Sequence, residues 1–350
     1  MQTQSKFRLL VVRLGAMGDI LHALPAVTAL RHAHPEWAID WVVEPRWQAL
    51  FAAEDSLGRV VSQPLVDRIH FAPTKEWRTA PFSEKTLREI KLLRRTLRAG
   101  EYDAVLDLQG AIRSAVVGRM AHCRRLIGEA EPRERAARWL YSERVATRGK
   151  HVIEQDVELA AAVAGDELAS ATTLLPTDPI AEAWADEYLS SSQAVVLINP
   201  GAGWGAKRWP LERYGVVAKE LIVKGFRVVV NAGPGEELLA EGLHEASPTP
   251  PLTFSLNQLI SLTRRVALVI AGDTGPLHLA CALGRPVVGI YGPTDPSRNG
   301  PYGTRFRVLR SPESRRDHTR REAPEAGLLT ISPDDVLRAA TELLAEEKAR

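Results

Sequence analysis

The sequence predicts an α/β protein built as two doubly wound parallel-sheet domains, and three observations predict it. Short apolar runs rich in Val and Ile alternate with segments of helical periodicity through both halves of the 350-residue chain. Such runs are strands buried on both faces, as parallel strands covered by helices are. The length suits two domains of ~100–200 residues each. Several runs end in a glycine-containing turn that leads straight into a helix, which is where open α/β sheets hold ligands.

In chain order, Arg8–Leu14 reads as a buried strand, followed by a helix from Gly18 to His32, a strand Ile39–Glu44, a helix near Phe82–Arg98 and a strand Ala104–Leu108. In the second of these helices Leu87, Ile90, Leu93 and Leu97 recur at helical spacing between basic residues, so its charges form a solvated face. The second half gives a strand Ala194–Asn199, a helix Leu211–Lys224, a strand Arg227–Asn231, a helix Glu236–Glu245 and a strand Ala267–Ala271. A helix Leu277–Leu283, a strand Val287–Ile290 and a last helix Pro333–Lys348 complete it. Thr172-Thr173, two prolines and Ser190-Ser191-Ser192 mark a linker. The expected organisation is a first domain over 1–170, a linker over 171–193, a second domain over 194–331, and a terminal helix over 332–350 that packs back on the first domain.

With 45% hydrophobic and 25% charged residues the chain is of the soluble globular class. Cys123 and Cys281 stand in no metal-type spacing and make no disulfide framework, which fits a reducing compartment. Met1–Arg8 is polar and leads directly into a strand, without the pattern of a signal peptide, and no apolar run approaches the ~18 residues of a membrane span. Net charge is +2 but uneven: residues 75–150 hold 18 Lys/Arg against 10 Asp/Glu, and Arg310–Arg321 holds five Arg against Glu313 and Asp317. A basic segment in a near-neutral chain points to an anionic partner. No nucleic-acid recognition motif accompanies it.

The residues with chemistry sit at strand ends. Asp273-Thr274-Gly275-Pro276-Leu277-His278 follows a strand and opens a helix whose first amides are free, an anion site by geometry and dipole. Read more plainly, Asp273 and Thr274 cap that helix. A second turn, Tyr291–Pro296, ends the next strand, and together the two suggest a diphosphate crevice. Asn199–Pro210 is a glycine-rich loop ending in Lys207-Arg208. It fails the G-x-x-x-x-G-K-[ST] spacing but suits a phosphate, with Lys207 as a point charge. Glu236, after the next strand, stands where a carboxylate takes a ribose hydroxyl pair, or merely where an acidic first turn suits a helix. In the first half, Arg13–His22 brings two glycines and Asp19 to the end of the first strand. Asp19 reads as a general base for a hydroxyl or as an N-cap. Asp107–Ser114 brings Gln109 and Arg113 to the same rim. His22 and His278 lack partners at metal spacing and read as hydrogen-bonding residues. A nucleotide-dependent oxidoreductase on the same topology is the competing enzyme class, and the missing G-x-G-x-x-G in the first turn argues against it.

Five segments taken in order resemble glycosyltransferase family 9, the bacterial ADP-heptose:lipopolysaccharide heptosyltransferases, over nearly the whole chain. They are Met17–His22 with Leu24-Pro25-Ala26, Tyr102–Gly110, Ala206–Pro210, Asp273–His278 and Tyr291–Pro296. Asp40–Glu44 and the Gln109-Gly110 turn with Arg113-Ser114 are most similar to the type I branch, whereas Asn199–Ala202 looks closer to type II. The resemblance implies a GT-B fold of two facing Rossmann-like domains, inversion at the anomeric carbon, and no metal or other cofactor. It implies an ADP-heptose donor and, for type I, the Kdo of Kdo2-lipid A as acceptor. It further implies a cytoplasmic enzyme of a Gram-negative bacterium, peripheral on the inner face of the inner membrane. By the same resemblance Asp19 is the catalytic base. Lys207, Glu236, Asp273, Thr274, Gly275 and His278 bind the donor, and Arg13, Lys75, Arg78, Gln109 and Arg113 meet the anionic acceptor. The sequence gives no oligomeric state.

Overall fold

The computed structural model describes residues 6–52, 65–233, 251–317, 319 and 321–348. The chain divides between Asp178 and Pro179 into two units. The first contains β1 (Arg8–Val12), α1 (Met17–Ala33), β2 (Ala38–Val43), β3 (Arg68–Phe71), α2 (Thr74–Thr79), α3 (Glu84–Ala99), β4 (Ala104–Asp107), α4 (Ile112–Met120), β5 (Leu126–Glu129), β6 (Glu143–Val145) and α5 (Val152–Ala164). Its six strands pair in the order β3-β2-β1-β4-β5-β6, all parallel. Strands β1, β2 and β4 are buried almost throughout because helices cover both faces.

The second unit contains α6 (Pro179–Tyr188), β7 (Val195–Asn199), α7 (Leu211–Val223), β8 (Arg227–Val230), α8 (Leu256–Arg265), β9 (Leu268–Gly272), α9 (Gly275–Ala282), β10 (Val287–Tyr291), α10 (Pro296–Asn299), β11 (Phe306–Arg310), α11 (Ala326–Thr330) and α12 (Pro333–Lys348). Its five strands run β11-β10-β9-β7-β8, also parallel. Both sheets are thus doubly wound, as the sequence predicts. The order reverses between β1 and β4 in the first sheet and between β9 and β7 in the second. Chains leave to opposite sides at such points and open a crevice at the strands' carboxyl ends. Topology therefore assigns four loops: those after β1 and β4, and those after β7 and β9.

Two expectations are corrected. The stretch 171–193 is not all linker, because residues 179–188 form α6, which packs on α8 and ties to it through Glu182 and Arg265. The terminal helix belongs to the second unit. Its stripe of Val336, Ala339, Ala340, Leu343 and Leu344 joins the core of the second unit with Val217, Leu221, Leu268, Ile270 and Val288. An i, i+3, i+4 stripe of that size is fully used there. Glu236 and the helix expected over Glu236–Glu245 lie outside the described residues. No described helix is long and apolar enough to cross a membrane.

Candidate active site

In the second unit, the loop after β9 carries Asp273, 6% exposed, and Thr274, the N-cap of α9. Asp273 collects its partners from three directions. Lys207 Nζ lies 2.5 Å from Oδ2, the His278 ring nitrogen Nε2 3.1 Å from Oδ1, and Asn299 Nδ2 3.5 Å from both. Burial by itself pushes this carboxyl up. The His278 hydrogen bond and the Lys207 charge outweigh it and hold the group well below the usual carboxylate range. Thr274 Oγ1 donates to the Gly272 carbonyl at 3.2 Å. The next amides belong to the first turn of α9, where helical N–H groups have no partner within the helix.

Lys207 reaches Asp273 from the loop after β7, with its ammonium 4.2 Å over the Trp204 ring. That loop is braced on both sides of Lys207. Ala206 N–H donates to Arg321 O at 2.9 Å and Ala206 O accepts from Glu325 N–H at 3.1 Å. Gly205 has no room for a side chain: a Cβ there would lie 1.7 Å from the Glu322 carbonyl oxygen. Trp209, 1% exposed, donates from Nε1 to Ile331 O at 3.0 Å and anchors the start of α7. Asn231 Nδ2 and Asn199 Oδ1 join the ends of β8 and β7 at 2.5 Å. The turn after β10 is held by Arg310, whose Nε donates to Gly292 O and Thr294 O at 3.2 Å each, while Arg316 pairs with Asp295. Much of the arginine-rich stretch thus braces its own fold.

In the first unit, the loop after β1 is fixed by backbone contacts. Arg13 O accepts from Trp41 Nε1 at 3.1 Å, and Leu14 N–H donates to Gln109 Oε1 at 2.8 Å, so Gln109 ties the loop after β4 to the loop after β1. Gly15, at φ +152°, lies against Trp47: a Cβ would meet its Nε1 at 2.7 Å. Asp19 takes the third position of α1, where Oδ2 accepts the Ala16 N–H at 3.2 Å, and its side chain is 38% exposed. It is therefore both a capping group and an accessible carboxylate. Arg13, buried, approaches it at 3.7 Å. The turn after β4 hangs on buried Asp107, which accepts from the Gln109 N–H (2.9 Å), Ser114 Oγ (2.9 Å) and Tyr141 Oη (2.9 Å). His22 meets His151 edge to face, with ring centroids 5.5 Å apart.

Lys75, Arg78 and Arg113 come together electrostatically. Burial lowers the Lys75 ammonium, and Arg46, Arg113 and Arg78 lower it further while Glu44 opposes them. Glu44 also fixes the loop by accepting from Thr74 Oγ1 at 2.6 Å and Lys75 N–H at 3.2 Å. Arg46 is a cation that sequence reasoning missed, and its place just after β2 was the available signal. Asp156 was missed as well: it is a carboxylate at a core position of α5, among Ile153, Val157 and Ala160. No group of three or more His, Cys, Asp or Glu among the described residues is arranged to hold a metal ion.

Two doubly wound parallel-sheet units, with polar residues gathered on their switch-point loops, have the GT-B architecture of nucleotide-sugar glycosyltransferases. The chain belongs to glycosyltransferase family 9 (heptosyltransferase), whose model matches residues 90–328. It is 33% identical over 329 residues to lipopolysaccharide heptosyltransferase 1 of Escherichia coli (strain K12), covering 87% of this chain and 94% of that protein. It is 30% identical over 318 residues to the Salmonella typhimurium protein of the same name, covering 87% of this chain and 95% of that one. Among solved structures, E. coli heptosyltransferase WaaC with ADP superposes with a TM-score of 0.78 at 29% identity, covering 96% of this chain and 100% of that chain.

Proposed function

We propose that this enzyme transfers L-glycero-D-manno-heptose from ADP-heptose to the Kdo of Kdo2-lipid A in lipopolysaccharide core synthesis, inverting the anomeric carbon. The observation that carries the reading is the Lys207–Asp273–His278 group at the N-terminus of α9, a fixed anion site at the switch point of the second unit. There the amides of Thr274 and Gly275, the Thr274 hydroxyl and Lys207 hold the ADP diphosphate. Asp273 and His278 keep Lys207 in place, and Glu236 is the proposed ribose contact. The acceptor hydroxyl oxygen attacks the anomeric carbon and its proton passes to the Asp19 carboxylate. The bond from that carbon to the diphosphate oxygen breaks, the electron pair leaves with ADP, and fixed donors meet the growing charge. Arg13, Lys75, Arg78, Arg113 and Arg46 face the carboxylates and phosphates of the acceptor, with Gln109 holding the rim to which they belong.

The test is direct. Purified protein with ADP-heptose and Kdo2-lipid A gives a lipid one heptose heavier, with released ADP in equal amount and the opposite anomeric configuration by NMR. Product only from an acceptor that already carries a heptose would assign the second transfer step instead. No product from either acceptor, with binding of reduced nicotinamide cofactors, would return the chain to the oxidoreductase class.

The basic residues of the first unit lead to a second expected result. Each cation near an anionic surface contributes ~1 kcal/mol, screened over a Debye length of ~10 Å at 0.1 M salt. Sedimentation with vesicles containing lipid A weakens as salt rises, and Arg113→Glu raises KM for the lipid more than for ADP-heptose. Arg125 is the control. It is committed to Glu143 at 2.8 and 3.1 Å, so its reversal acts through the fold. Salt-insensitive sedimentation would reduce the patch to a solvated face.

A further inference from the structure

Helix α5 packs along α1 and buries Ile153, Val157, Leu159, Ala160 and Val163, all apolar. The exception on this face is Asp156, 3% exposed, whose Oδ2 has no hydrogen-bond partner. An unpartnered buried carboxylate costs stability, so packing does not account for it. Arg13 is in a similar condition. It is 6% exposed, its Nε is buried without a partner, and at 3.7 Å its approach to Asp19 is too long for a hydrogen bond. The two residues feel each other: Arg13 is the cation that favours the Asp156 charge, and Asp19 is the first of the carboxylates that oppose it.

Resting on the reading of Asp19 as the base, we infer that Asp156 is a positioning residue for the transfer reaction: it shares the Arg13 guanidinium with Asp19 and so sets how strong a base Asp19 is. With Asp156 charged, part of the Arg13 field is drawn away from Asp19, which keeps its affinity for the acceptor proton. With Asp156 neutral, Arg13 acts on Asp19 alone and weakens it as a base. Burial carries the Asp156 carboxyl up to about 7, against Arg13 and with Asp19, Glu129 and Asp107 adding repulsion. The groups presented to Asp156 are thus Arg13 and Asp19 around the start of α1, Asp107 at the end of β4 and Glu129 at the end of β5. His22 of α1 and His151 at the N-cap of α5 form the neighbouring ring pair. The device therefore switches near neutrality. The transfer rate steps down as pH falls through about 7.

Single-turnover transfer is measured against pH in wild type, D156N, R13Q, R13Q/D156N and D19N, with ADP affinity for each. The expected result for D156N is a rate about threefold to tenfold lower above neutrality, as a weaker general base gives. The step near neutrality is lost, the remaining acid limb moves to lower pH, and the ADP Kd stays within about twofold. In the R13Q background Asp156→Asn has a clearly smaller effect, because only the direct repulsion between Asp156 and Asp19 remains. A D156N profile superimposable on wild type overturns the inference. So does an equal loss from Asp156→Asn with and without Arg13, which marks a merely structural role and is readable even if the single variant is poorly folded. D19N separates the two ideas: an active D19N overturns the base itself, whereas an inactive D19N beside an unchanged D156N profile overturns the inference alone.

Discussion

Asp19→Asn removes heptosyl transfer, by ~10²–10⁴-fold in single-turnover rate, the usual cost of losing a general base. ADP affinity stays within about twofold of wild type, because Asp19 belongs to the first unit and the residues proposed to hold ADP to the second. The geometry makes the substitution clean. Asp19 Oδ2 already accepts the Ala16 N–H at 3.2 Å, and an asparagine amide oxygen accepts the same bond, so the helix cap survives while the proton acceptor does not. The contact with Arg13, 3.7 Å away and with Asp19 38% exposed, contributes little to stability. Hence the loss reads on chemistry rather than folding. A variant that keeps more than about a tenth of the wild-type rate would leave Asp19 as a cap alone, outside the range general-base removal produces.

The two regions of the proposed site are legible in the sequence for one reason: they lie at strand ends, where glycine and a helix start are visible as letters. Thr274-Gly275, Lys207 and Asp19 could be picked out that way. What the letters do not carry is the pairing of Lys207 with Asp273 across 66 positions, or the bracing of Ala206 by Arg321 and Glu325. These depend on which loops the strand order makes neighbours. Helix α1 is buried along nearly its whole length, so it presents no broad polar face to set against an apolar one. Strands β3, β5 and β6 read RIHF, LIGE and ERV, without the apolar run that marks the equally short β4 and β8. The terminal helix is a different failure. Its stripe announces that it packs but not on what, and the core around β9 and α7 took it.

Asp156 illustrates how a polar residue on an apolar helical face is a signal that periodicity hides, since a window average counts it as noise. Its effect on stability has a definite sign. A carboxyl whose folded value is raised stabilises the fold most below its unfolded value, near 3.8, and loses that contribution as pH rises to about 7. Asp273 has the opposite sign, and the contrast between two buried aspartates in one chain is a test of both assignments.

Asp273→Asn destabilises the second unit by about 3–5 kcal/mol at neutral pH, the range for removing one partner of a buried ion pair. The Lys207 side chain is 11% exposed and the Asp273 side chain 4%, so the stranded ammonium has little access to water. Asparagine has one acceptor oxygen where the carboxylate offers two, so it cannot accept from Lys207 at one oxygen and His278 at the other. The carboxyl of Asp273 lies well below its ordinary value because His278 and Lys207 overcome burial. Its contribution is therefore present above the unfolded value, near 3.8, and is lost only as pH falls through the lower folded value. The gap between wild type and D273N is accordingly flat from neutrality down to about pH 5 and narrows only in stronger acid. Hydrogen exchange in β7 and β9 reads it within the second unit, where a global unfolding curve would mix both units. Lys207→Ala costs less stability, since His278 still partners the carboxylate, but weakens ADP binding by about 1–3 kcal/mol, the range for hydrogen bonds to charged groups. Equal exchange protection in D273N and wild type would mean that the carboxylate is not the group that fixes Lys207. Wild-type ADP affinity in K207A would remove Lys207 from the diphosphate site.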